Sequence, residues 1–304
     1  MDLPAPAQPG LPVVMGVLNV TPDSFSDGGR HADPDAAVAH GRLLLADGAD
    51  VVDVGGESTR PGATRPLVSE ELDRVVPVIA TLVSEGAVVS VDTMRAEVAH
   101  AAVEAGASIV NDVSGGLADP GILDVVAATG AAYVAMHWRA HSDRMADLAV
   151  YDGPGGVVGD VRRELAARLA ALTAAGIDPE RVVLDPGLGF AKGAEHNWEL
   201  LAGLDELASL GRPLLVGASR KSFLGRLLAD PGADPRPPLE REVAGHALTA
   251  LLARQGVWGV RVHDVRGTRD VLSVWETVRR HEAARAGCRS RRLRRGARRA
   301  ARSA

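Results

Sequence analysis

Eight short apolar runs, each ending in polar residues, constrain the fold of this chain of 304 residues more than any other feature. The runs are rich in Val, Ile and Leu, and segments long enough for a helix separate them. They begin at positions 13, 51, 88, 109, 132, 182, 214 and 260. This alternation predicts a parallel sheet with crossover helices. Eight such units are the number that closes a (β/α)₈ barrel, so we expect an α/β fold with a single TIM barrel.

The polar residues that end these runs predict where the functional site lies. In a barrel of this kind the carboxyl ends of all strands share one face, and active sites are found there. We therefore expect the following residues to converge on one site: Asn19, Glu57, Asp92, Asn111, Asp112, His137, Asp185, Ser219, Lys221, Arg261 and His263.

Composition indicates one globular domain flanked by two short segments. The 46% hydrophobic content is ample for a core, and no apolar stretch reaches the roughly 18 residues of a membrane span. Residues 1–12 contain four prolines and no basic residue, unlike a signal peptide. We expect a flexible extension over residues 1–12, the barrel over 13–283, and an arginine-rich tail over 284–304 that is disordered or loosely helical.

Charge and cysteine content restrict the partners and the compartment. Residues 1–278 carry 23 basic and 38 acidic residues, whereas Arg279 to Ala304 hold 11 arginines and one acid. An acidic body does not suit an enzyme that binds nucleic acid. We therefore expect small-molecule substrates, with no specific nucleic acid and no membrane. The single cysteine, Cys288, excludes a disulfide within the chain and favours the cytoplasm.

Helix signals are consistent with the barrel. Start signals stand at Asp33-Pro34, Ser69 and Asp119-Pro120, and apolar spacing predicts a sixth helix over residues 195–210. An open doubly wound sheet is the competing architecture. Its dinucleotide-binding glycine motif is absent after the first predicted strand.

Only two of the 34 basic residues are lysines, and both follow predicted strands. Arginine has replaced lysine everywhere else, although a planar guanidinium cannot substitute for a compact ammonium. We therefore expect Lys221 to be functional. Lys192 is equally well explained as a partly exposed structural lysine, and its role stays open.

The first two loops have the composition of binding loops. Residues 19–29 form a long polar loop that carries Asp23 and Asp27 and ends in two glycines, so it could move as a lid. Residues 55–62 offer close backbone approach through glycine and the guanidinium of Arg60. The alternatives are a solvated loop and a tight turn with a salt bridge.

Three residues that end buried strands predict a ring-binding site. Asp92, Asn111 and Asp185 stand where an uncompensated polar group would be costly. Carboxylates and an amide suit a ligand ring rich in hydrogen-bond donors, such as a pterin or purine edge. Helix caps are the alternative for each residue taken alone.

The last two strands predict an anion site. Barrels usually bind phosphate in the loops after these strands, and here they carry Ser219 to Ser222, Arg261 and His263. Arginine binds phosphate oxygens in bidentate fashion, and residues 261 and 263 face the same side. No cluster of His, Asp and Glu has the spacing of a permanent zinc site. A Mg²⁺ ion held by a diphosphate needs few protein ligands, and Asn19 could supply one.

Seven motifs in the same order resemble those of dihydropteroate synthase, the folate-pathway family that sulfonamides target. They fall between positions 13 and 276, and their residues resemble those of actinobacterial members. The motifs cover residues 15–29, 53–62, 90–93, 111–115, 185–190, 217–222 and 261–263. The loop after His137 and residue Leu188 depart from the usual pattern.

The resemblance implies an activity and a role for each matching residue. The reaction would join 6-hydroxymethyl-7,8-dihydropterin diphosphate to 4-aminobenzoate, giving 7,8-dihydropteroate and diphosphate. Catalytic roles would fall to Asp92, Asp185, Lys221, Arg261 and His263. The pterin would be bound by Asp92, Asn111, Met136, Asp185, Gly217, Lys221 and Arg261. The 4-aminobenzoate pocket would be formed by Phe25, Thr59, Arg60, Pro61, Phe190 and Ser222. The diphosphate would be bound by Asn19, Arg261 and His263, with Mg²⁺ at Asn19, and the enzyme would be a homodimer.

Two other functions remain as alternatives. A methyltetrahydrofolate-type pterin-binding methyltransferase would not need the loop containing Thr59 to Pro61 or the segment Ser219 to Ser222. A non-catalytic pterin-binding paralogue would have degraded diphosphate or 4-aminobenzoate motifs, whereas these motifs are intact in the sequence.

Overall fold

Eight parallel strands form a closed barrel in the computed structural model, which describes residues 3–21, 33–57, 65–141, 144–145 and 147–300, with side chains up to Arg285. The sheet order is β6-β5-β4-β3-β2-β1-β8-β7, and a parallel bridge between Leu184 and Leu214 joins its two edges. The predicted TIM barrel is confirmed, and the open sheet is excluded. The strands are β1 Val13–Asn19, β2 Val51–Gly55, β3 Val89–Asp92, β4 Ile109–Asp112, β5 Ala132–Met136, β6 Val182–Asp185, β7 Leu215–Val216 and β8 Gly259–Val262.

Helices cover the outside of the barrel. Their starts follow ordinary capping chemistry: the Asp33 side chain accepts a hydrogen bond from the Asp35 amide at 2.9 Å, with Pro34 as the first helical residue. The helices are α1 Pro34–Ala46, α2 Val68–Ser84, α3 Ala96–Glu104, α4 Gly121–Thr129, α5 Gly156–Ala174, α6 Ala194–Ala202, α7 Leu204–Ala208, α8 Ser222–Leu227, α9 Glu242–Gln255 and α10 Val265–Ala300.

Two helix boundaries differ from the expectation. The helix predicted over residues 195–210 is divided at Gly203 into α6 and α7. A β-carbon on Gly203 would lie 2.9 Å from the Val158 side chain, so α5 packs too closely there for a larger residue. Helix α10 continues past position 283 to Ala300, so the backbone of the arginine-rich tail is helical over most of its length.

The barrel interior changes from apolar to polar along its axis. Its amino-terminal part is filled by a compact cluster, which we call the barrel floor: Val13, Met15, Val51, Ile109, Ala132, Val134, Val183 and Leu215. The alternate strand residues face outward and pack against the helices. Inward-facing polar side chains begin in the middle of the barrel with Asp53 and Ser90, which pair with each other, and continue to the carboxyl ends of the strands.

The segment before β1 is attached to the amino-terminal end of the barrel. Leu3 packs against the barrel floor. The Asp50 carboxylate accepts hydrogen bonds from the amides of Ala7 at 3.0 Å and Val14 at 2.7 Å, and it pairs with Arg269 at 2.7 Å. These contacts attach the segment from Leu3 onwards to the barrel, and the flexibility expected over residues 1–12 stays a prediction.

Within the described part of the chain, no helix is both long and apolar enough to cross a membrane.

Candidate active site

The strand register brings the predicted polar residues into one row. Asn19 of β1 pairs with Gly55 of β2, Gly55 pairs with Asp92 of β3, and Asp92 pairs with Asn111 of β4. Across the barrel, Asp185 of β6 pairs with Met136 of β5. The predicted convergence at the carboxyl ends of the strands is therefore observed for these residues.

The guanidinium of Arg261 connects the residues inside the barrel mouth. Its Nε donates to Asp53 Oδ2 at 2.7 Å, and its Nη2 donates to Asp92 Oδ2 at 2.6 Å. The Asn111 side-chain amide donates to the same Asp53 oxygen at 3.0 Å. We call Arg261, Asp53, Asp92 and Asn111 the arginine network. It places three of the predicted pterin ligands in contact with one another or with a shared partner.

Asp53 is a functional candidate that sequence reasoning did not single out. Its side chain has no exposed surface, and its Oδ1 atom has no hydrogen-bond partner within the described residues. A buried charge with an unsatisfied oxygen is costly and calls for an explanation. The available signal was an acid inside the apolar run Val51 to Val54, where a strand that faces only a core would not carry one.

Burial dominates the electrostatics of the arginine network. It raises the pKa of Asp92 to about 7, although Arg261 opposes the shift, and the Asp53 charge adds to it. Burial by itself would lower the pKa of Arg261, but Asp53 and Asp92 outweigh it and the net shift is upward. The guanidinium therefore stays charged, while Asp92 can change its charge near neutral pH.

Asp185 and Lys221 form the opposite wall of the mouth. The Gly187 amide donates to Asp185 Oδ1 at 2.7 Å, and the Lys221 ammonium donates to the Leu188 carbonyl. The same ammonium lies 4.9 Å from the centre of the Phe190 ring. Burial raises the pKa of Asp185 and lowers that of Lys221 to about 8, while the attraction between the two charges opposes both shifts.

Gly217 leaves space between the two walls. A β-carbon at this position would lie 3.7 Å from Arg261 Cβ and 3.9 Å from Asp185 Oδ2. Arg261 and Asp185 are therefore on the same end of the barrel and close to each other. This is the arrangement on which the site prediction depended.

An apolar surface lies beside the polar groups. Met94, Val113 and Met136 form a small buried cluster, and Trp138 and Phe190 pack against it. A site that combines an apolar wall with a few converging polar groups is typical of small-molecule pockets. Together with two buried carboxylates and an amide, it suits a flat heteroaromatic ring whose edge carries hydrogen-bond donors.

Contacts with β8 and α9, outside the barrel mouth, hold the loop after β7 in place. His263 Nδ1 lies 3.0 Å from Ser219 Oγ, which joins the two predicted anion-binding loops. Arg220 has a positive φ of 62° and donates to Glu242 at 2.5 Å. Arg220 is thus turned towards α9 and supports the loop. Ser222 is the first residue of α8 and is exposed.

Other candidates have structural partners. Asp112 accepts hydrogen bonds from the Ser114 and Gly116 amides and the Tyr133 hydroxyl, so it organises the loop after β4. Glu57 pairs with Arg65 at 2.7 Å. Several predicted residues lie outside the described part of the chain: Asp23, Phe25, Asp27, Thr59, Arg60 and Pro61.

One group of possible metal ligands was not expected from the sequence. The side chains of Glu242, His246 and Asp264 bring ligand atoms within 4.8 Å of one another. Their carboxylates are already engaged: Glu242 accepts from Arg220, and Asp264 accepts from the Gly267 amide at 3.0 Å. The group therefore fixes the loops after β7 and β8 without needing an ion.

Comparison with known proteins identifies the family. The family described as "Pterin binding enzyme" matches residues 15–263, a span that begins in β1 and ends at His263. The chain belongs to this family. Dihydropteroate synthase from Mycobacterium leprae (strain TN) is 55% identical over 263 residues, which cover 86% of this chain and 91% of that protein.

Solved structures agree with the family assignment. Xanthomonas albilineans dihydropteroate synthase with 4-aminobenzoic acid has 47% sequence identity and a TM-score of 0.80, covering 88% of this chain and 93% of that one. The same enzyme in complex with 7,8-dihydropteroate has 44% identity and a TM-score of 0.76, with 88% and 94% coverage. Both walls of the mouth described above lie within the matched part of the chain.

Proposed function

We propose that this chain is a dihydropteroate synthase. It condenses 6-hydroxymethyl-7,8-dihydropterin diphosphate with 4-aminobenzoate, and the products are 7,8-dihydropteroate and diphosphate in tetrahydrofolate biosynthesis. The arginine network carries the proposal, because it sets buried carboxylates and an amide opposite Asp185 and Lys221 in one barrel mouth. The relatives that share this fold carry the same activity in their names.

The two walls of the mouth suit the pterin ring. Carboxylates of Asp92 and Asp185 would accept hydrogen bonds from ring N–H groups, and Lys221 would donate to a ring acceptor. Met136 and Phe190 belong to the apolar surface beside them and would cover the ring face. The ring would also bring hydrogen-bonding groups near Asp53 Oδ1, a buried oxygen that has no partner within the described residues.

The chemical step needs charge stabilisation and no protein nucleophile. The bond between the pterin methylene carbon and the diphosphate oxygen breaks, a bond from that carbon to the aryl amine forms, and the amine loses a proton. Negative charge grows on the leaving diphosphate, and Arg261 and His263 would stabilise it. Asp185 would disperse positive charge at the methylene carbon.

We propose that Asn19 holds a Mg²⁺ ion together with the diphosphate. Its amide oxygen is the type of ligand that Mg²⁺ prefers, and it stands at the end of β1 in the row with Asp92. When bound, the ion would neutralise the leaving group. We expect Asn19→Ala to need more Mg²⁺ for diphosphate binding in calorimetric titrations. An unchanged Mg²⁺ dependence would contradict this assignment.

We also propose a 4-aminobenzoate pocket, which includes residues outside the described part of the chain. Phe190 lies against Lys221, and Ser222 is exposed at the same rim, so an aryl acid could sit between them. The remaining proposed lining residues come from the first two loops: Phe25, Thr59, Arg60 and Pro61. We expect Phe190→Ala to raise the KM for 4-aminobenzoate more than that for the pterin substrate, and equal effects would contradict the proposal.

We propose that the protein is a homodimer in the cytoplasm. Val243 and Leu251 are 79% and 58% exposed on α9, two turns apart, and Val274 is 67% exposed on the neighbouring α10. Exposed apolar stripes on adjacent helices favour a partner surface. We expect the double variant Val243→Asp, Leu251→Asp to sediment as a monomer. Leu43→Asp on α1 is the control, and an unchanged mass of the double variant would contradict the interface.

The decisive experiment follows both products. We expect diphosphate release from 6-hydroxymethyl-7,8-dihydropterin diphosphate to require 4-aminobenzoate and to match dihydropteroate formation mole for mole. Arg261→Gln should lose most of this activity, whereas Arg42→Gln on the surface of α1 should keep it. Pterin binding without product would indicate the non-catalytic alternative, and the absence of a pteroate product would overturn the proposal.

A further inference from the structure

A second polar chain lies behind the loop that follows β6. Lys192 Nζ lies 2.8 Å from His137 Nδ1, and His137 Nε2 lies 2.9 Å from Glu164 Oε2. Glu164 is fixed in turn by Arg139, whose Nε and Nη2 donate to its two oxygens at 3.1 and 2.5 Å. We call Lys192, His137 and Glu164 the lysine chain. It connects the β6 loop to the end of β5 and to α5.

The protonation pattern of the lysine chain is determined by its partners. Burial lowers the pKa of His137 to about 4, so the ring is neutral at pH 7. Burial lowers the pKa of Lys192 well below its usual range, while the charge of Asp185 opposes the shift. In its ammonium form Lys192 can only donate, so His137 Nδ1 accepts and His137 Nε2–H donates to the Glu164 carboxylate. Each member has the donor or acceptor that its neighbour requires, which fixes the orientation of all three side chains.

The lysine chain controls the backbone of the β6 loop. The Lys192 ammonium also donates to the Phe190 carbonyl at 3.0 Å, and the Tyr151 hydroxyl donates to the Ala191 carbonyl at 2.9 Å. Ala191 has a positive φ of 48°, a conformation that costs energy for a residue with a β-carbon. Contacts on both sides of Ala191 hold this strained turn in place.

The same loop presents its other side to the barrel mouth. It supplies the Leu188 carbonyl and the Phe190 ring, the two groups that Lys221 contacts. Lys192 is also one of three cations that act on the Asp185 carboxyl, the others being Lys221 and Arg261. A change at Lys192 would thus reach both the position of Lys221 and the charge of Asp185.

We propose that Lys192 is a positioning residue of the pterin site, which holds the β6 loop so that Phe190 and Leu188 stay against Lys221. This inference rests on the proposed synthase function, because that function identifies the barrel mouth as a pterin site. It does not require Lys192 to touch a substrate.

The expected pH effect follows from the charges around Asp185. The cations that act on it are Lys221 from the loop after β7, Arg261 from β8 and Lys192 from its own loop. His137, which directly follows β5, donates its backbone amide to the Asp185 carbonyl. Removing the Lys192 charge should raise the pKa of the Asp185 carboxyl further. Pterin binding that needs the carboxylate should then be lost at a higher pH on the acid side.

The test compares neutral and charged replacements by direct binding. We expect Lys192→Met and Lys192→Gln to weaken 6-hydroxymethylpterin binding about tenfold and to shift the acid limb of that binding to higher pH. Lys192→Arg keeps the charge, so we expect it to restore the acid limb without restoring the full affinity. Arg163→Met on α5 is the control for loss of a surface cation, and we expect it to match the wild type.

The outcomes separate this proposal from a purely structural role and from the proposed function. A lower melting temperature with an unshifted acid limb in both neutral variants would overturn the proposal, as would wild-type binding in either folded variant. Two neutral variants are used so that a folding failure in one does not end the test. Binding is measured without catalysis, so absence of pteroate synthesis by the wild type would overturn the synthase function alone.

Discussion

At the residue scale, the site depends on one guanidinium shared by two buried carboxylates. Arg261 of β8 contacts Asp53 of β2 and Asp92 of β3, both of which are far from it in the chain. Asn111 completes the group by donating to Asp53. Removing one partner from a buried charged group leaves the others uncompensated, which costs more than the pair itself contributes. Asp92 and Asn111 were predictable because each follows an apolar run, and Arg261 because it stands two positions before His263 on the same side of the last strand. Asp53 was not, because it stands within an apolar run and only the folded register shows what it faces.

Replacement of Lys221 by arginine tests whether the ammonium itself is needed. The lysine donates to the Leu188 carbonyl and lies over Phe190, a space shaped for a compact group. We expect Lys221→Arg to lower kcat/KM by about 10- to 100-fold, the range for loss of one charged hydrogen bond. Steady-state kinetics check this, with Arg42→Lys on the exposed surface of α1 as the control. A fully active Lys221→Arg variant would refute the role.

The raised pKa of Asp92 predicts a pH-dependent affinity. Burial raises it to about 7, so the side chain is mostly protonated below that pH and ionised above it. Ring N–H groups need an ionised acceptor, so we expect 6-hydroxymethylpterin affinity to fall as the pH is lowered through about 7. Titration calorimetry on both sides of pH 7 measures this. We expect Asp92→Asn to bind weakly and to lose the step near pH 7, while the separate acid limb that belongs to Asp185 remains. A step near pH 7 that persists in this variant would contradict the assignment to Asp92.

At the scale of elements, the strands and the helices differ in how closely they could be predicted from the sequence. The strands could be predicted closely because apolar runs with polar ends have few other structures available. The break at Gly203 could not be predicted, because it arises from the close approach of Val158 on another helix. The lysine chain was hidden for the same reason: Glu164 lies within α5, and nothing in its local sequence points to His137.

The short strand β7 gives a prediction that separates binding from stability. Gly217 follows this strand, and its β-carbon would make only ordinary contacts with Arg261 and Asp185. We expect Gly217→Ala to leave the melting temperature almost unchanged but to weaken pterin binding, because the added methyl group enters the space between the two walls. Thermal unfolding and binding titration are compared on one preparation. Unaltered affinity would show that the ring does not pass over Gly217.

At the scale of the whole molecule, closure of the barrel converts distant residues into one site. The sequence predicted the number of strands and the end at which the site lies, because both follow from the repeated pattern. It did not predict the attachment of residues 3–12. That attachment depends on the Asp50 carboxylate, which a local pattern shows only as one acid in a turn. For the tail, whose backbone is helical to Ala300, the lack of apolar periodicity left disorder and a loose helix as alternatives.

Asp50 tests whether that attachment stabilises the molecule. Its side chain is 6% exposed and binds two backbone amides and Arg269. We expect Asp50→Ala to lower the free energy of unfolding by about 3 kcal/mol, because charged hydrogen bonds are lost and Arg269 is left unpaired. Chemical denaturation measures this, and kcat/KM below the unfolding range should be unchanged.

A neighbouring acid provides the control for Asp50. Asp47 lies 3.9 Å from Arg266, whose side chain is 75% exposed, so Asp47→Ala should cost well under about 1 kcal/mol. Equal losses of unfolding free energy in the two variants would mean that the attachment at the barrel floor does not stabilise the protein more than a surface ion pair does.

The separation of 208 positions between Asp53 and Arg261 also governs when the site can first exist during synthesis. A nascent chain that has emerged only through α9 already contains both aspartates but has no counter-charge for them. The complete site can therefore form only after the eighth strand has been synthesised. We expect truncated translation products that lack this strand not to bind the pterin.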